Sequence, residues 1–289
     1  MSTIATMTGG YARPTMLAGR KQIRTLSLDE LRGVAPSVFA DRPYEGTSAK
    51  YTFIPTDRIV IKLMEEGFFP VAAFQSSARI PGKKDFTKHV VKFRREGVSE
   101  IGGLTPELIV GNSHDASSQF WQSFGLLRLV CMNGLMVADS SFESIKVRHS
   151  GDIVDQVIEG SYSVIERVPQ VLERVQEFKG VQLSAPEINA FNSAALMLRY
   201  DKDEAPITAD KLNESRRYDD TSNDLWTAFN RTQENLIKGG VRGRNKSNGR
   251  MSTRAINSVS ENVRINKSLW ELTEQMAKIK NGTAEPIAA

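Results

Sequence analysis

Thr87-Lys-His-Val-Val-Lys-Phe-Arg-Arg95 is the stretch on which the fold turns. Val90, Val91 and Phe93 supply its apolar content, and its short run of β-branched and aromatic residues is that of a strand. Alternation then puts Lys88, Lys92 and Arg94 on one face and His89, Val91 and Phe93 on the other. The charged face is expected to meet solvent and the apolar face the core, because burying three unpaired cations would exceed a domain's stability margin. Pro81-Gly-Lys-Lys84 is a turn signal that joins this run to an earlier one, Phe68 to Arg79. Further strand-like runs follow at Glu107 to Val110, Gln119 to Val137 and Phe142 to His149, and Asn133-Gly134 carries a hairpin signal. The middle of the chain is thus expected to be an antiparallel meander of about five strands.

The period changes after Gly151. Ile153, Val157, Ile158, Tyr162, Ile165, Val168, Leu172, Val175 and Phe178 step at three and four, as on an amphipathic helix that Pro169 should kink or split. Ser27 with Glu30 and Ser184 with Glu187 are capping-box pairs that open helices. Pro55-Thr-Asp opens another helix, which ends at Gly67. Asp224 to Leu236 and a long final segment through Trp270 and Met276 complete a helical second half. The fold class expected is α+β. The expected organisation is a flexible basic arm over 1–35, an α+β core over 36–200, a helical region over 201–282 with a basic loop at 238–254, and a tail at 283–289.

The net charge of +4 is modest but unevenly placed. Arg79, Lys83, Lys84, Lys88, Lys92, Arg94 and Arg95 face a single acid, Asp85, in their segment. Lys238, Arg242, Arg244, Lys246, Arg250 and Arg254 form a second group whose segment has no acid. Two acid-poor clusters are the electrostatic footprint of a polyanion partner. One cysteine excludes an internal disulfide framework and fits a reducing cytoplasm. No apolar run spans a membrane, and Met1 to Ser27 lacks the apolar centre of a secretory signal.

A polar cluster, Asn112-Ser-His-Asp-Ala116, runs into the apolar segment Arg128-Leu-Val-Cys-Met-Asn-Gly134. With Tyr51-Thr-Phe-Ile-Pro-Thr56, Lys88-His89, Arg148-His-Ser-Gly151, Leu225-Trp-Thr-Ala-Phe-Asn230, Gln233 to Gly240 and Asn266-Lys-Ser-Leu-Trp270, these motifs resemble the phage/plasmid-like protein family, a domain of unknown function carried by mobile elements. The likeness runs from about Pro36 to Lys280. It implies a setting in mobile-element DNA metabolism and marks His89, Asn112, His114, Asp115, Arg128, His149 and Asn230 as polar positions of unknown role. The family usually has Gly where this chain has Ala116, which puts a tight left-handed turn there in doubt. A meander followed by a long helix is also similar in layout to phage single-strand annealing recombinases, by analogy alone.

His89, His114, His149, Asp115 and Cys131 lack metal-ligand spacing, so no metal or other cofactor is expected. Asp219, Asp220, Asp224 and Glu234 could be assembled into a magnesium site, but a helix cap and ion pairs to Arg216 and Arg217 explain them more simply. Neither a Gly-x-Ser-x-Gly elbow nor a Walker motif occurs. The function expected is therefore non-catalytic binding of nucleic acid, single-stranded DNA in preference, in recombination, annealing or protection of a phage or plasmid, with self-association an open possibility. Two alternatives stand beside it. One is an interaction, anti-defence or assembly factor that meets an acidic protein surface. The other is a metal-dependent enzyme acting on nucleic acid.

Overall fold

The computed structural model describes residues 7–11, 14–17, 20–48, 51–97, 104–128, 133–136, 153–201, 204–244 and 247–283. Two compact units make up the chain: 1–168 with 257–260, and 169–256 with 261–289. Helices in the stretch 169–200, expected above to belong with the sheet, lie in the second unit. No helix among the described residues is long and apolar enough to cross a membrane.

In the first unit, β1 (Met7–Tyr11), β2 (Pro14–Leu17) and β3 (Arg20–Ile23) precede α1 (Leu28–Val34) and α2 (Thr56–Glu65). Then come β4 (Phe68–Ser76), β5 (His89–Arg95), β6 (Leu104–Asn112), β7 (Trp121–Arg128), β8 (Asn133–Met136) and α3 (Ile153–Glu166). The sheet order is β1-β4-β5-β6-β7-β8, antiparallel at every pairing. β2 and β3 form a separate hairpin.

The meander is as expected, with three corrections. First, 1–35 is not an irregular arm where it is described. β1 satisfies the open edge of β4, and Ser27 and Glu30 close a capping box on α1. Second, the run from Gln119 to Val137 is two strands, and Asn133-Gly134 pairs with Arg128 and Leu127 rather than forming the turn. Third, β5 is buried on both faces from His89 to Phe93. Lys92 is only 8% exposed, and its Nζ stands 3.7 Å from Glu107 Oε2 on β6. Arg94, half-buried, points Nη2 at the other oxygen, also at 3.7 Å. A sheet covered on both sides admits a cation only beside a counter-charge, and Glu107, fully buried, provides it. The segment Phe142 to His149 lies outside the described residues.

Val91, Phe93, Leu108 and Val110 form the apolar side of the central strands, with Ile59, Val60 and Leu63 of α2 and Val157 of α3 in the same core. α2 packs on β4 and α3, and α3 packs on β6 and β7. Gly111 on β6 faces Trp121 on β7, and the indole lies across it: a Cβ at Gly111 would stand 2.2 Å from the ring.

In the second unit, α4 (Val168–Gly180) carries Pro169 in its first turn, where proline is tolerated, so the long amphipathic pattern is split as expected. α5 (Ala185–Met197) has the Ser184–Glu187 capping box, and α6 (Leu225–Lys238) is capped by Asp224. The segment 238–254, expected to be an irregular loop, instead contains a hairpin of β9 (Arg242–Arg244) and β10 (Arg250–Ser252). α7 (Val259–Lys280) follows. Trp226, Phe229, Phe178 and Trp270 pack ring against ring as the aromatic core.

α6 is the central rod of this unit. Asn230, Arg231, Thr232, Gln233, Glu234 and Asn235 are polar, consecutive and all buried. Each finds a partner: Thr232 Oγ1 donates to Asn192 Oδ1 at 2.6 Å, Gln233 Nε2 to Asn266 Oδ1 at 2.6 Å, and Asn235 Nδ2 to the Leu212 and Glu214 carbonyls. Asn230 Nδ2 donates to the Trp226 carbonyl one turn back, so this family-motif position serves the helix interior.

Candidate functional site

Two constellations carry the polar residues singled out above, one in each unit. In the first unit, the start of α2 sets the Thr56 hydroxyl among three side chains. Asn112 Nδ2 lies at 2.9 Å, His89 Nε2 at 3.1 Å and His114 Nε2 at 3.3 Å. His89 Nδ1 is 3.1 Å from the Thr87 carbonyl, so the proton sits on Nδ1 and Nε2 accepts from Thr56. Thr56 has then used its only proton, and His114 must donate to it from Nε2. Among the described residues His114 Nδ1 has no hydrogen-bond partner. Both imidazoles are neutral. Burial pushes His89 down to about 3, with His114 beside it adding to the effect, and burial pushes His114 down to about 4. All four side chains are buried, so the cluster is a closed hydrogen-bond lock rather than an acid–base pair open to substrate.

Asp115 begins the loop that follows. Its carboxylate accepts from the Ser117 amide at 3.1 Å and lies 3.1 Å from Lys83 Nζ. Burial alone would raise its pKa, but the bonds from Ser117 and Lys83 outweigh this and lower it. Ala116 adopts φ +58°, so the left-handed turn forms here with alanine in place. Among the described residues, no three His, Cys, Asp or Glu side chains gather as a metal site. Arg128 is half-buried at the end of β7, opposite Asn133. His149, Cys131 and Lys246 lie outside the described residues.

The first basic cluster is dispersed by the fold. Lys83 is held by Asp115 and lies over the Tyr44 ring. Arg95 stacks over Phe68 and Tyr162. Lys92 and Arg94 turn to Glu107. Lys88 is half-buried just before β5, and only Arg79 and Lys84 of the seven are exposed.

The second cluster stays together. Lys238 pairs with Glu234 at 2.9 Å, while Arg242, Arg244, Arg250 and Arg254 are exposed. In the hairpin, Arg244 faces Arg250 and Arg242 faces Ser252, so three guanidinium groups share one side. Gly243 and Met251 share the other side. A Cβ on Gly243 would stand 1.9 Å from the Pro206 carbonyl oxygen, and the Arg244 amide donates to that same oxygen at 2.8 Å. The glycine therefore lets the ribbon lie flat on the segment before it. A groove of about 1100 Å³ opens between them, lined by Pro206, Ile207, Lys211, Arg242, Arg250 and Met251 among others, with no carboxylate among the described residues that line it.

Lys211, Gly243 and Glu107 went unmarked in the sequence. Arg-Gly-Arg at 242–244 is a readable signal for Gly243 alone, since spacing of two aligns charges on a strand and glycine permits close approach.

A family model described as a domain of unknown function, DUF932, matches residues 43–270. Two of the similar proteins are from Escherichia coli (strain K12). The UPF0380 protein YafZ is 43% identical over 253 residues, covering 88% of this chain and 92% of the relative. The UPF0380 protein YfjQ is 42% identical over 253 residues, with the same coverage of each chain. No solved structure matches.

Proposed function

The chain belongs to the DUF932 family, and from that premise we propose that it is a non-catalytic nucleic-acid-binding protein whose phosphate contacts are Arg242, Arg244 and Arg250. One observation carries this reading: three exposed guanidinium groups on one side of a hairpin, two of them directly opposite each other, beside a groove with no carboxylate among the described residues of its lining. Like charges across a strand pair destabilise it. An anionic ligand relieves that repulsion, and guanidinium forks suit phosphate. The resemblance to phage- and plasmid-borne proteins supports a setting in recombination, annealing or protection of mobile-element DNA, in the host cytoplasm. The closed histidine lock supports a binding protein over a hydrolytic enzyme.

The test is fluorescence anisotropy with labelled single- and double-stranded oligonucleotides across a salt series. Affinity should fall steeply with salt, with a slope of about −0.7 per single-strand phosphate contact. Changing Arg242, Arg244 and Arg250 together to Ala should flatten that slope by about two units. Arg79→Ala with Lys84→Ala, from the dispersed cluster, should leave binding unchanged. A salt response already flat in the parent, or a triple variant that binds like the parent, sinks the proposal.

A further inference from the structure

Tyr218 is 95% exposed, more than any other large apolar side chain among the described residues. A ring left in water is usually explained by a loose loop, but this loop is fastened on both sides of the ring. Arg216 donates from Nε to Asn235 Oδ1 at 2.6 Å and from Nη2 to the Gly239 carbonyl. Arg217 reaches the Glu234 carboxylate, with Nη2 at 2.5 Å. The Asp220 amide bonds back to the Arg217 carbonyl at 3.3 Å, closing a turn around Tyr218 and Asp219. The Asp220 carbonyl then accepts from Arg231 Nη1 at 3.0 Å. Three neighbours of the ring, Arg216, Arg217 and Asp220, are thus tied to the chain around α6, and the ring itself is presented outward.

The same ties locate it. Arg216 grips the carbonyl of Gly239, and a Cβ on Gly239 would stand 2.4 Å from the Arg254 carbonyl carbon. The Gly240 amide donates to the Thr253 carbonyl at 2.7 Å. Gly239, Gly240, Thr253 and Arg254 are the root of the hairpin that carries the three arginines. The aromatic platform and the cationic ribbon therefore spring from one base.

Resting on the nucleic-acid reading above, we infer that Tyr218 stacks on an unpaired base of the bound strand, so that the ligand class is single-stranded nucleic acid. In a duplex both faces of each base are already covered by neighbours, whereas an unpaired strand offers a free face to an exposed ring. Exposed Asp219 beside the ring disfavours phosphate at this point and fits a base there. Phosphates belong to Arg242, Arg244 and Arg250, and the base belongs to Tyr218.

The experiment uses the full chain and three labelled probes: oligothymidylate, a strand of the same length with abasic sites, and a duplex. Tyr218→Ala should weaken oligothymidylate binding about tenfold. It should leave the abasic strand at the parent's affinity and the salt slope unchanged, since no phosphate contact is lost. Tyr218→Phe should restore the parent's affinity. The melting temperature should not move, because the ring lies almost wholly in water. The inference is overturned if Tyr218→Ala binds oligothymidylate like the parent, if it loses equally on both strands, or if the parent prefers the duplex. If the parent binds none of the three probes, the nucleic-acid reading fails first and takes this inference with it.

Discussion

Thr56 has one proton and two lone pairs, and Asn112, His89 and His114 use all of them. Both histidines are therefore held neutral inside the fold. In the unfolded chain each takes up a proton near its ordinary value of about 6.5. In the folded chain this waits until about 4 for His114 and about 3 for His89. Below about 6.5 the unfolded chain binds protons that the folded chain refuses, so stability falls as pH falls through this window, by about 1.4 kcal/mol per histidine per pH unit. Urea unfolding at about pH 5 should show a loss of about 4 kcal/mol relative to about pH 7. Equal midpoints at the two values would show that the pair is not buried in neutral form. Lys92 makes the second residue-scale test. An exposed lysine is replaced at almost no cost, but here the change leaves Glu107 buried with one of its two cations gone. Lys92→Ala should destabilise by about 3 kcal/mol in the same assay. A change near zero would restore the exposed-face reading of β5.

At the scale of elements, the hairpin of β9 and β10 depends on Gly243. Alanine there places a methyl inside the Pro206 carbonyl, and backbone cannot swing aside as a side-chain tip can. Gly243→Ala should lift the ribbon off its groove and reduce oligonucleotide affinity about as far as the triple arginine variant does. The aromatic core around Trp270 and Phe229 should remain intact, which near-ultraviolet circular dichroism would report; unchanged affinity would overturn the docking. What could be read from the sequence at this scale was what local chemistry decides. Ser27 with Glu30, Ser184 with Glu187 and Asp224 announce their helices because each cap bonds within three residues. Pro169 marks the break between α3 and α4 for the same reason. Asn133-Gly134 misled because pairing with Arg128 and Leu127 outweighed turn preference, and β9 and β10 were missed because three-residue strands leave little pattern.

Across the whole molecule, sequence and structure part company over charge. Two basic clusters of similar density meet different fates, and what separates them is remote in sequence. Glu107 and Asp115 lie beyond the first cluster, and only strand pairing brings them to Lys92, Arg94 and Lys83. No window centred on residues 79–95 contains that information. In the second cluster Lys238 shares Glu234 with Arg217, while Arg242, Arg244, Arg250 and Arg254 stay exposed. The α+β layout and the order of the meander follow from period alone; which cations remain for a ligand follows from topology. A slip of two residues between β6 and β7 would keep every side chain on its proper face, so hydrophobic patterning cannot detect it. Yet β6 carries a single glycine, and such a slip would bring Ile109 or Ser113 beneath the indole of Trp121 in place of Gly111. The glycine thus marks the alignment: in the native register a hydrogen, and not a side chain, meets the indole of Trp121.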